Sequence, residues 1–296
     1  MTALAERTAF ITGGGNGIGL AFARALIERG CRVAVADVRA DAARAAADSL
    51  GDKAIGIPLD VRSRADFARV ADEVEERLGP VSILVNSAGV NLFLPVDESS
   101  YDDWDWVLGV NLNGVINAVT TFVPRMKAHA RGGHVINVSS MASYLIGANA
   151  GAYNTSKAAV TGLSESLYYS LAPHDIGVSL VLPGLVNSNI HASDDVRPAE
   201  LPRRGKPADA ALRARFAAVH EAGMDPAEVA TKALAAVEEN RFYVFTHPEL
   251  KEELHERLDI VKAAFPDGDA PRERADFENQ RRARFAAARE AALRRQ

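Results

Sequence analysis

Two side chains that could exchange a proton, Tyr153 and Lys157, lie four residues apart within a stretch of helical pattern. Residues four apart share one face of a helix, so the phenol and the ammonium group point into the same space. An unperturbed phenol has a pKa of about 10, and a nearby cation favours the phenolate and lowers that pKa. A base whose pKa approaches the working pH transfers protons efficiently. The pair therefore indicates acid–base catalysis, although many amphipathic helices contain this spacing by chance.

A glycine-rich turn, Gly13-Gly14-Gly15-Asn16-Gly17-Ile18-Gly19, lies between a predicted strand and a predicted helix near the start of the chain. Glycine has no Cβ, so Gly13, Gly17 and Gly19 allow a tight turn and the close approach of a pyrophosphate. The free N–H groups and the dipole of a helix N-terminus favour the negative charge of a phosphate. Because the turn lies at the first strand–helix junction, it predicts a dinucleotide site.

An acidic residue, Asp37, closes the second predicted strand, eighteen residues beyond Gly19. A carboxylate at this place accepts hydrogen bonds from the adenosine ribose hydroxyls and repels a 2′-phosphate. Helix capping is a compatible role for the same side chain. Arg39 could help to hold a phosphate, but Asp37 would have to be neutralised first. We therefore expect NAD rather than NADP as the cofactor.

The elements that must position these residues alternate along the first two thirds of the chain. Short β-branched runs predict strands at Thr8–Thr12, Arg32–Asp37, Ala54–Leu59, Ile83–Asn86, His134–Ser139 and Val178–Leu182, with one more at Phe242–Thr246. Helical patterns rich in Ala, Leu, Glu and Arg lie between them, for example at Ile18–Arg29, Ala40–Leu50 and Ser63–Leu78. This alternation predicts an α/β fold, a Rossmann-like doubly wound parallel sheet with helices on both faces.

A proline-bearing, charged stretch interrupts this alternation from about residue 189 to 225. Loops of that length in compact domains are usually functional, so we expect a lid. We place a single dinucleotide-binding and catalytic domain at residues 1–247. Residues 248–296 are charged and helical in pattern, so they predict a helical C-terminal extension, for which a solvated tail is the simplest role.

The composition argues against several classes of partner. A formal net charge of -5 and a pI of about 5.8 argue against nucleic-acid binding, which favours a basic surface. No run approaches the ~20 apolar residues of a membrane-spanning helix, and the residues after Met1 lack the layout of a secretion signal. The histidines lack metal-ligand spacing, and the single Cys31 excludes an internal disulfide. We therefore expect a cytoplasmic protein that binds neither nucleic acid nor a membrane and holds no metal ion.

The sequence resembles the short-chain dehydrogenase/reductase family over residues 8 to about 246. The Thr-Gly-x-x-x-Gly-Ile-Gly form of the turn, Ser140 at a strand end, and Tyr153 with Lys157 occur in the family's order and spacing. Further matches are Asp60-Val61, Asn86-Ser87-Ala88-Gly89, Asn111 within Val-Asn-Leu-Asn-Gly, and Pro183-Gly184. The resemblance implies reversible hydride transfer between a secondary alcohol or ketone and a nicotinamide cofactor.

The resemblance also implies a role for each matching residue. Tyr153 would exchange the proton with the substrate oxygen, and Ser140 would hydrogen-bond that oxygen. Lys157 would bind the nicotinamide ribose hydroxyls and lower the pKa of Tyr153, while Asn111 would hold a water that links Lys157 to solvent. Besides Tyr153 and Lys157, the cofactor would contact Gly13, Asn16, Gly17, Ile18, Gly19, Asp37, Asp60, Val61, Asn86, Ala88, Gly89, Pro183, Gly184, Val186 and Ser188.

The resemblance assigns separate residues to the two ends of the cofactor. Asp60 and Val61 would meet the adenine, whereas Val186 and Ser188 would meet the carboxamide. Two positions depart from the family's pattern. Ser87 stands where a second asparagine is common, and Ser188 replaces a threonine but keeps its hydroxyl. Neither change removes a group that catalysis needs.

Two alternatives to an NAD-dependent alcohol dehydrogenase stay open. A NADP-dependent ketoreductase of the 3-oxoacyl type would share the same residues, but Asp37 argues against it. A cofactor-sensing regulator could keep the fold without turnover, but it would not need the set of Asn111, Ser140, Tyr153 and Lys157.

The family usually forms dimers or tetramers, so the resemblance implies a homodimer or homotetramer.

We expect the substrate pocket to be lined by residues that follow the carboxyl ends of the strands, namely Leu92, Phe93, Leu94, Tyr144, Leu145, Ile146 and Leu185. These side chains are mostly apolar and supply no cation, which favours an uncharged hydrophobic substrate, specifically a bulky aryl or alicyclic secondary alcohol. The segment 189–191, with His191 near the pocket, and the run 243–249 also resemble the bacterial branch that oxidises benzylic alcohols of lignin-derived aryl ethers. Packing between subunits is an alternative role for the lid and the tail.

Overall fold

The computed structural model describes residues 4–204 and 210–293, and these residues form a parallel sheet of seven strands. The strands are β1 (Thr8–Thr12), β2 (Arg32–Asp37), β3 (Ala54–Pro58), β4 (Val81–Asn86), β5 (Gly133–Val138), β6 (Ile176–Leu182) and β7 (Tyr243–Phe245). Their spatial order is β3-β2-β1-β4-β5-β6-β7, which reverses direction between β1 and β4. Open α/β sheets bind ligands in the crevice at such a reversal. The expected doubly wound α/β fold is confirmed.

Helices cover both faces of the sheet. They are α1 (Gly17–Glu28), α2 (Ala40–Leu50), α3 (Arg64–Leu78), α4 (Tyr101–Leu108), α5 (Gly114–His129), α6 (Gly151–Leu171), α7 (Ala210–Glu221), α8 (Pro226–Glu238), α9 (Lys251–Ala263) and α10 (Arg272–Leu293). Buried side chains of α1, α2 and α8 pack on one face, and those of α3, α5 and α6 pack on the other. Successive strand side chains point to opposite faces, so Ala9 and Ile11 join the first layer and Phe10 joins the second.

The helices α4 and α5 form one continuous helical segment, joined by a π-helical turn at Gly109–Asn113. By length and composition alone, this segment of residues 101–129 could cross a membrane. However, 56% of its most apolar window is buried inside the protein. Phe122 and Met126, for example, are fully buried against the sheet. Packing in the core therefore accounts for its apolar character.

The stretch of residues 189–225, which we call the lid, is irregular at first and then helical. It begins with 3₁₀ turns at Asn189–Val196, and α7 follows after residues 205–209, which lie outside the described part of the chain. An ion pair fixes its first half, since Arg197 Nη1 lies 2.6 Å from Asp103 Oδ1 on α4, with side chains only 6% and 3% exposed. The lid is thus attached firmly to the body of the protein.

The described residues after β7 form the largely exposed helices α9 and α10, with a break between them. Leu250 and Leu254 pack against the cluster formed by Met141, Leu180 and Leu182, the last two on β6. Phe285 of α10 contacts the Tyr169 ring on α6, with ring centres 5.5 Å apart. The extension therefore begins in contact with the body, and its division from the body at residue 247 stays a prediction.

Candidate active site

The carboxyl ends of the strands open onto a large cavity of about 1100 Å³. Of the residues expected from the sequence, it is lined by Gly13, Asn16, Gly17, Ile18, Gly19, Asp37, Asp60, Val61, Ala88, Gly89, Ser140, Tyr153, Lys157, Pro183, Gly184, Val186 and Ser188. Asn86 and Asn111 are buried behind this wall. The fold thus brings residues from both halves of the sequence to one place.

The glycine-rich turn is packed too closely to hold side chains at two of its positions. Gly13 has a φ of +65°, and a Cβ there would lie 2.7 Å from Ala88 Cα in the loop after β4. A Cβ on Gly19 would overlap the carbonyl oxygen of Gly13. The Asn16 side chain makes no capping hydrogen bond at the start of α1. The N–H groups of this helix terminus therefore remain available to a phosphate.

The carboxylate of Asp37 is fixed by two backbone donors. The N–H of Gly15 donates to Oδ2 and the N–H of Arg39 donates to Oδ1, each at 3.0 Å. The Arg39 side chain is 45% exposed, and its Nε lies 3.9 Å from Asp37 Oδ1. The carboxylate therefore ties β2 to the glycine-rich turn while it also lines the cavity.

At the far rim of the cavity, Asp60 is paired with an arginine that the sequence analysis did not single out. Arg62 Nη2 lies 2.6 Å from Asp60 Oδ2 and 2.9 Å from Glu200 Oε1 on the lid. The backbone of Val61 accepts a hydrogen bond from Asn117 Nδ2 at 2.9 Å. The loop expected to meet the adenine is therefore held on both sides, and Arg62 joins its wall.

Tyr153 and Lys157 line the cavity from α6, as their spacing predicts. The ammonium of Lys157 donates to the Val138 carbonyl at 2.9 Å and lies 5.6 Å from the centre of the Tyr153 ring. Burial lowers the pKa of Lys157 to about 8. Burial also raises the pKa of Tyr153, and the side-chain hydrogen bond with Ser140 opposes this rise. The structure thus differs from the expectation that Lys157 lowers the Tyr153 pKa, because desolvation of the phenol dominates.

Asn111 lies in the π-helical turn and its side chain is fully buried. Its Oδ1 accepts from the Val90 N–H at 2.8 Å, and its Nδ2 donates to the Val90 carbonyl and to Ser156 Oγ, both at 2.9 Å. A Cβ on Gly89 would lie 3.5 Å from Lys157 Nζ and 3.7 Å from Asn111 Oδ1. Both polar atoms therefore border the same space beside Gly89, where a bridging water could sit.

Asn86 connects two strands and does not line the cavity, and its expected contact with the cofactor stays a prediction. Its Nδ2 donates to Asn137 Oδ1 at 2.8 Å, which joins the ends of β4 and β5. The next two residues contribute backbone instead, because the N–H groups of Ser87 and Ala88 reach Thr12 Oγ1 at 3.2 and 3.3 Å. Asn86 thus shapes the cleft through the sheet.

The expected substrate pocket is only partly correct. Phe93, Leu145 and Leu185 line the cavity, but Leu92, Leu94, Tyr144 and Ile146 do not. Leu92 and Leu94 pack in the cluster around Trp106, and the Tyr144 ring centre lies 6.5 Å from that of Phe245 near β7. Ile146 is 59% exposed. Neighbouring residues of these loops therefore turn to different sides of the wall.

The lid supplies an aromatic wall that the sequence analysis missed. Phe216 on α7 stacks on Phe93, with ring centres 4.5 Å apart and an interplanar angle of 21°. The His220 ring meets the Phe93 ring edge-on, with ring centres 6.3 Å apart. The centre of the His191 ring lies 5.1 Å from that of His220. His220 lines the cavity, whereas His191, which the sequence placed near the pocket, lies behind it. Arg215 adds a cation to this wall that was not expected.

Comparisons with known proteins agree with this geometry. The profile of the short chain dehydrogenase family matches residues 7–197. A C alpha-dehydrogenase of Sphingobium sp. strain SYK-6 is 39% identical over 279 residues, which cover 92% of both chains. The structure of a short-chain dehydrogenase from Novosphingobium aromaticivorans is 44% identical with a TM-score of 0.85, covering 99% of this chain and 100% of that one. Another, from Burkholderia phymatum in complex with NAD, is 33% identical with a TM-score of 0.85, covering 92% and 99%.

Proposed function

The chain belongs to the short-chain dehydrogenase family, in the lignin-related branch that its sequence resembles, and we propose that it interconverts a bulky hydrophobic secondary alcohol and its ketone with NAD. It is an oxidoreductase of the alcohol/ketone type that uses a nicotinamide cofactor. The choice of NAD, the class of alcohol and the role of each residue are our proposal. The observation that carries it is one cavity whose lining includes Asp37, Tyr153 and the stacked rings of Phe93 and Phe216.

The residues present fit a nicotinamide dinucleotide. The absence of side chains at Gly13 and Gly19 lets the turn pack closely, and the uncapped start of α1 offers N–H groups to a pyrophosphate. The fixed carboxylate of Asp37 would accept hydrogen bonds from the adenosine ribose and repel a 2′-phosphate. This repulsion favours NAD and argues against a NADP-dependent ketoreductase of the 3-oxoacyl type.

The chain's own residues would handle the proton. When bound, the nicotinamide supplies the hydride acceptor or donor. The phenolic oxygen of Tyr153 would take the hydroxyl proton of the alcohol during oxidation and return it during reduction. Ser140, which hydrogen-bonds with Tyr153, would donate to the same substrate oxygen. Lys157, held by Val138, would bind the ribose and pass the proton toward the space beside Asn111.

The aromatic wall of the cavity that Tyr153 lines supports an aryl or alicyclic substrate. Phe93 and Phe216 present stacked aromatic rings, and Leu145 and Leu185 add apolar surface to the same cavity. Aromatic rings pack favourably against one another in offset or edge-to-face arrangements. Arg215 is exposed at this wall, so it does not provide the buried cation that a dedicated carboxylate site would require.

We further propose that the protein is a cytoplasmic homodimer or homotetramer, because members of the family are typically oligomeric. The family acts on small molecules, and the acidic net charge of -5 gives no support for nucleic acid as a partner. A cofactor-sensing regulator without turnover is disfavoured, because the cavity brings Ser140, Tyr153 and Lys157 together.

The test is a panel of alcohols, followed by nicotinamide absorbance with NAD. We expect the highest kcat/KM with a bulky benzylic alcohol or a steroid alcohol, and lower values with a 3-hydroxyacyl thioester and 2-butanol. Phe216→Leu should lower the value for the benzylic alcohol more than that for 2-butanol, whereas Phe277→Leu, on an exposed residue of α10, should change neither. A strong preference for the thioester or for 2-butanol would contradict the proposed substrate.

A further inference from the structure

The loop after β6, residues 183–187, is held at both ends by backbone hydrogen bonds. At its start, the N–H of Met141 donates to the Pro183 carbonyl at 2.8 Å, which links it to the loop of Ser140. At its end, the Met224 N–H donates to the Leu185 carbonyl and the Asn187 N–H donates to the Met224 carbonyl, both at 2.9 Å. Between these two attachments, a side chain beyond β7 adds two further polar contacts.

That side chain is His247, which binds two consecutive residues of the loop. Its Nδ1 accepts from the Gly184 N–H at 2.9 Å, and its Nε2 lies 2.9 Å from the Leu185 carbonyl oxygen. The ring is only 6% exposed. A Cβ on Gly184 would lie 2.9 Å from the imidazole Cγ, so the glycine is what allows the ring to pack this closely.

These contacts define which ring nitrogen of His247 accepts a hydrogen bond. The backbone N–H of Gly184 can only donate, so Nδ1 must carry no proton. The proton then lies on Nε2, which faces the Leu185 carbonyl, an acceptor. The Thr246 hydroxyl oxygen lies 2.8 Å from Nδ1. The imidazole can therefore hold the loop with one nitrogen as acceptor and the other as donor.

We infer that His247 is a positioning residue that holds residues 183–187 in the shape required to receive the nicotinamide half of the cofactor. The inference rests on the proposed function, in which this loop meets the nicotinamide. His247 lies fifty residues beyond the part of the chain that the family profile matches, 7–197. It therefore lies outside the segment that carries the family's shared profile. Without it, binding would have to order the loop, and that cost weakens affinity.

The experiment compares two ligands that differ in the nicotinamide. NADH and ADP-ribose are titrated into the full chain by calorimetry, in the wild type and in His247→Leu, which removes both hydrogen bonds. Because the free loop would then have to be ordered on binding, the loss of the two hydrogen bonds should weaken NADH binding roughly tenfold. ADP-ribose binding should stay within about twofold, because that ligand does not reach the loop. Amide hydrogen exchange at Gly184 should become faster.

Conservative variants separate positioning from folding. His247→Asn can keep an acceptor near Nδ1, and His247→Gln can keep a donor near Nε2, so each should restore part of the NADH affinity. If His247→Leu does not fold, the inference is tested by the ratio of NADH affinity to ADP-ribose affinity in His247→Asn and His247→Gln. His134→Asn serves as the matched control, because His134 is fully buried within the sheet and bonded to Ser179. It should lower thermal stability and leave the ratio unchanged.

Two outcomes would overturn the inference. If the NADH to ADP-ribose affinity ratio of the His247 variants equals that of the wild type, His247 has only a structural role. If the wild type binds NADH no better than ADP-ribose, or binds neither, the loop does not receive the nicotinamide and the proposed function fails as well. The first result leaves the proposed function intact, so the two failures are distinguishable.

Discussion

Replacement of Asp37 by serine should move the cofactor preference from NAD toward NADP. The Asp37 side chain is only 9% exposed, and the N–H groups of Gly15 and Arg39 hold one carboxylate oxygen each at 3.0 Å. The carboxylate therefore cannot turn away from a 2′-phosphate on the adenosine ribose. Arg39 offsets part of its charge, but its Nε lies 3.9 Å away and its side chain is 45% exposed.

The expected magnitude follows from electrostatics at this distance. Two unit charges about 4 Å apart repel by about 1 kcal/mol in bulk water and about 4 kcal/mol at an effective dielectric constant of about 20. A phosphate monoester carries a charge of about −1.5 to −2. With Arg39 offsetting part of the repulsion, a net penalty of roughly 2–4 kcal/mol for NADP corresponds to a preference for NAD of about 30-fold to 1000-fold. Asp37→Ser should remove most of that preference.

The assay is kcat/KM for NAD and for NADP, at one saturating alcohol concentration and fixed ionic strength. Asp41→Ser is the matched control, because it removes the same charge from an exposed position in the first turn of α2. It should leave the ratio of the two efficiencies unchanged. Equal efficiency with both cofactors in the wild type would refute the reasoning, and so would an Asp37→Ser ratio within about twofold of the wild-type ratio.

Two further predictions concern pH and the lid. Because burial raises the pKa of Tyr153, the phenol stays protonated at neutral pH, so alcohol oxidation should accelerate as pH rises while ketone reduction should slow. Steady-state rates at saturating cofactor measure this, and a flat oxidation profile with chemistry rate-limiting would contradict it. Arg197→Leu leaves the buried carboxylate of Asp103 without its ion-pair partner, which should cost about 3–5 kcal/mol of unfolding free energy. Denaturant unfolding measures this loss of unfolding free energy. The double variant Arg197→Leu with Asp103→Leu should recover much of it. A loss below about 1 kcal/mol for Arg197→Leu would contradict the role of the ion pair in holding the lid.

The sheet could be predicted because its strands are short apolar runs buried on both faces, and the errors lie at their ends. The sequence predicts the sixth strand from Val178, but β6 begins two residues earlier, at Ile176. The prediction stops short because Gly177, which lies inside the strand, is a residue that usually interrupts strands. A Cβ at Gly177 would overlap the imidazole of His134 on the neighbouring strand β5. That glycine is therefore required by a residue distant in sequence, and no local pattern could show it.

The parts of the site that local sequence patterns define could be predicted, whereas the parts that depend on contacts between distant residues were missed. Tyr153 and Lys157 could be paired because they share one helix, and Asp37 because it ends a strand. Phe216 and His220 approach the cavity from α7, inside a stretch whose prolines and charges predicted a lid without showing a helix. The raised pKa of Tyr153 was also missed, since burial is a property of the whole fold.

The central claim is that Tyr153 exchanges the proton of a nicotinamide-dependent alcohol oxidation. Tyr153→Phe removes only the ionisable hydroxyl, so kcat should fall by about 10²-fold or more while the dissociation constant for NADH stays within a few-fold. Tyr144→Phe is the matched control, because Tyr144 packs near Phe245 outside the cavity and should retain wild-type kcat. Single-turnover oxidation of the preferred alcohol, alongside NADH titration of each variant, is the direct measurement. Retention of more than a tenth of wild-type turnover by Tyr153→Phe would contradict the account.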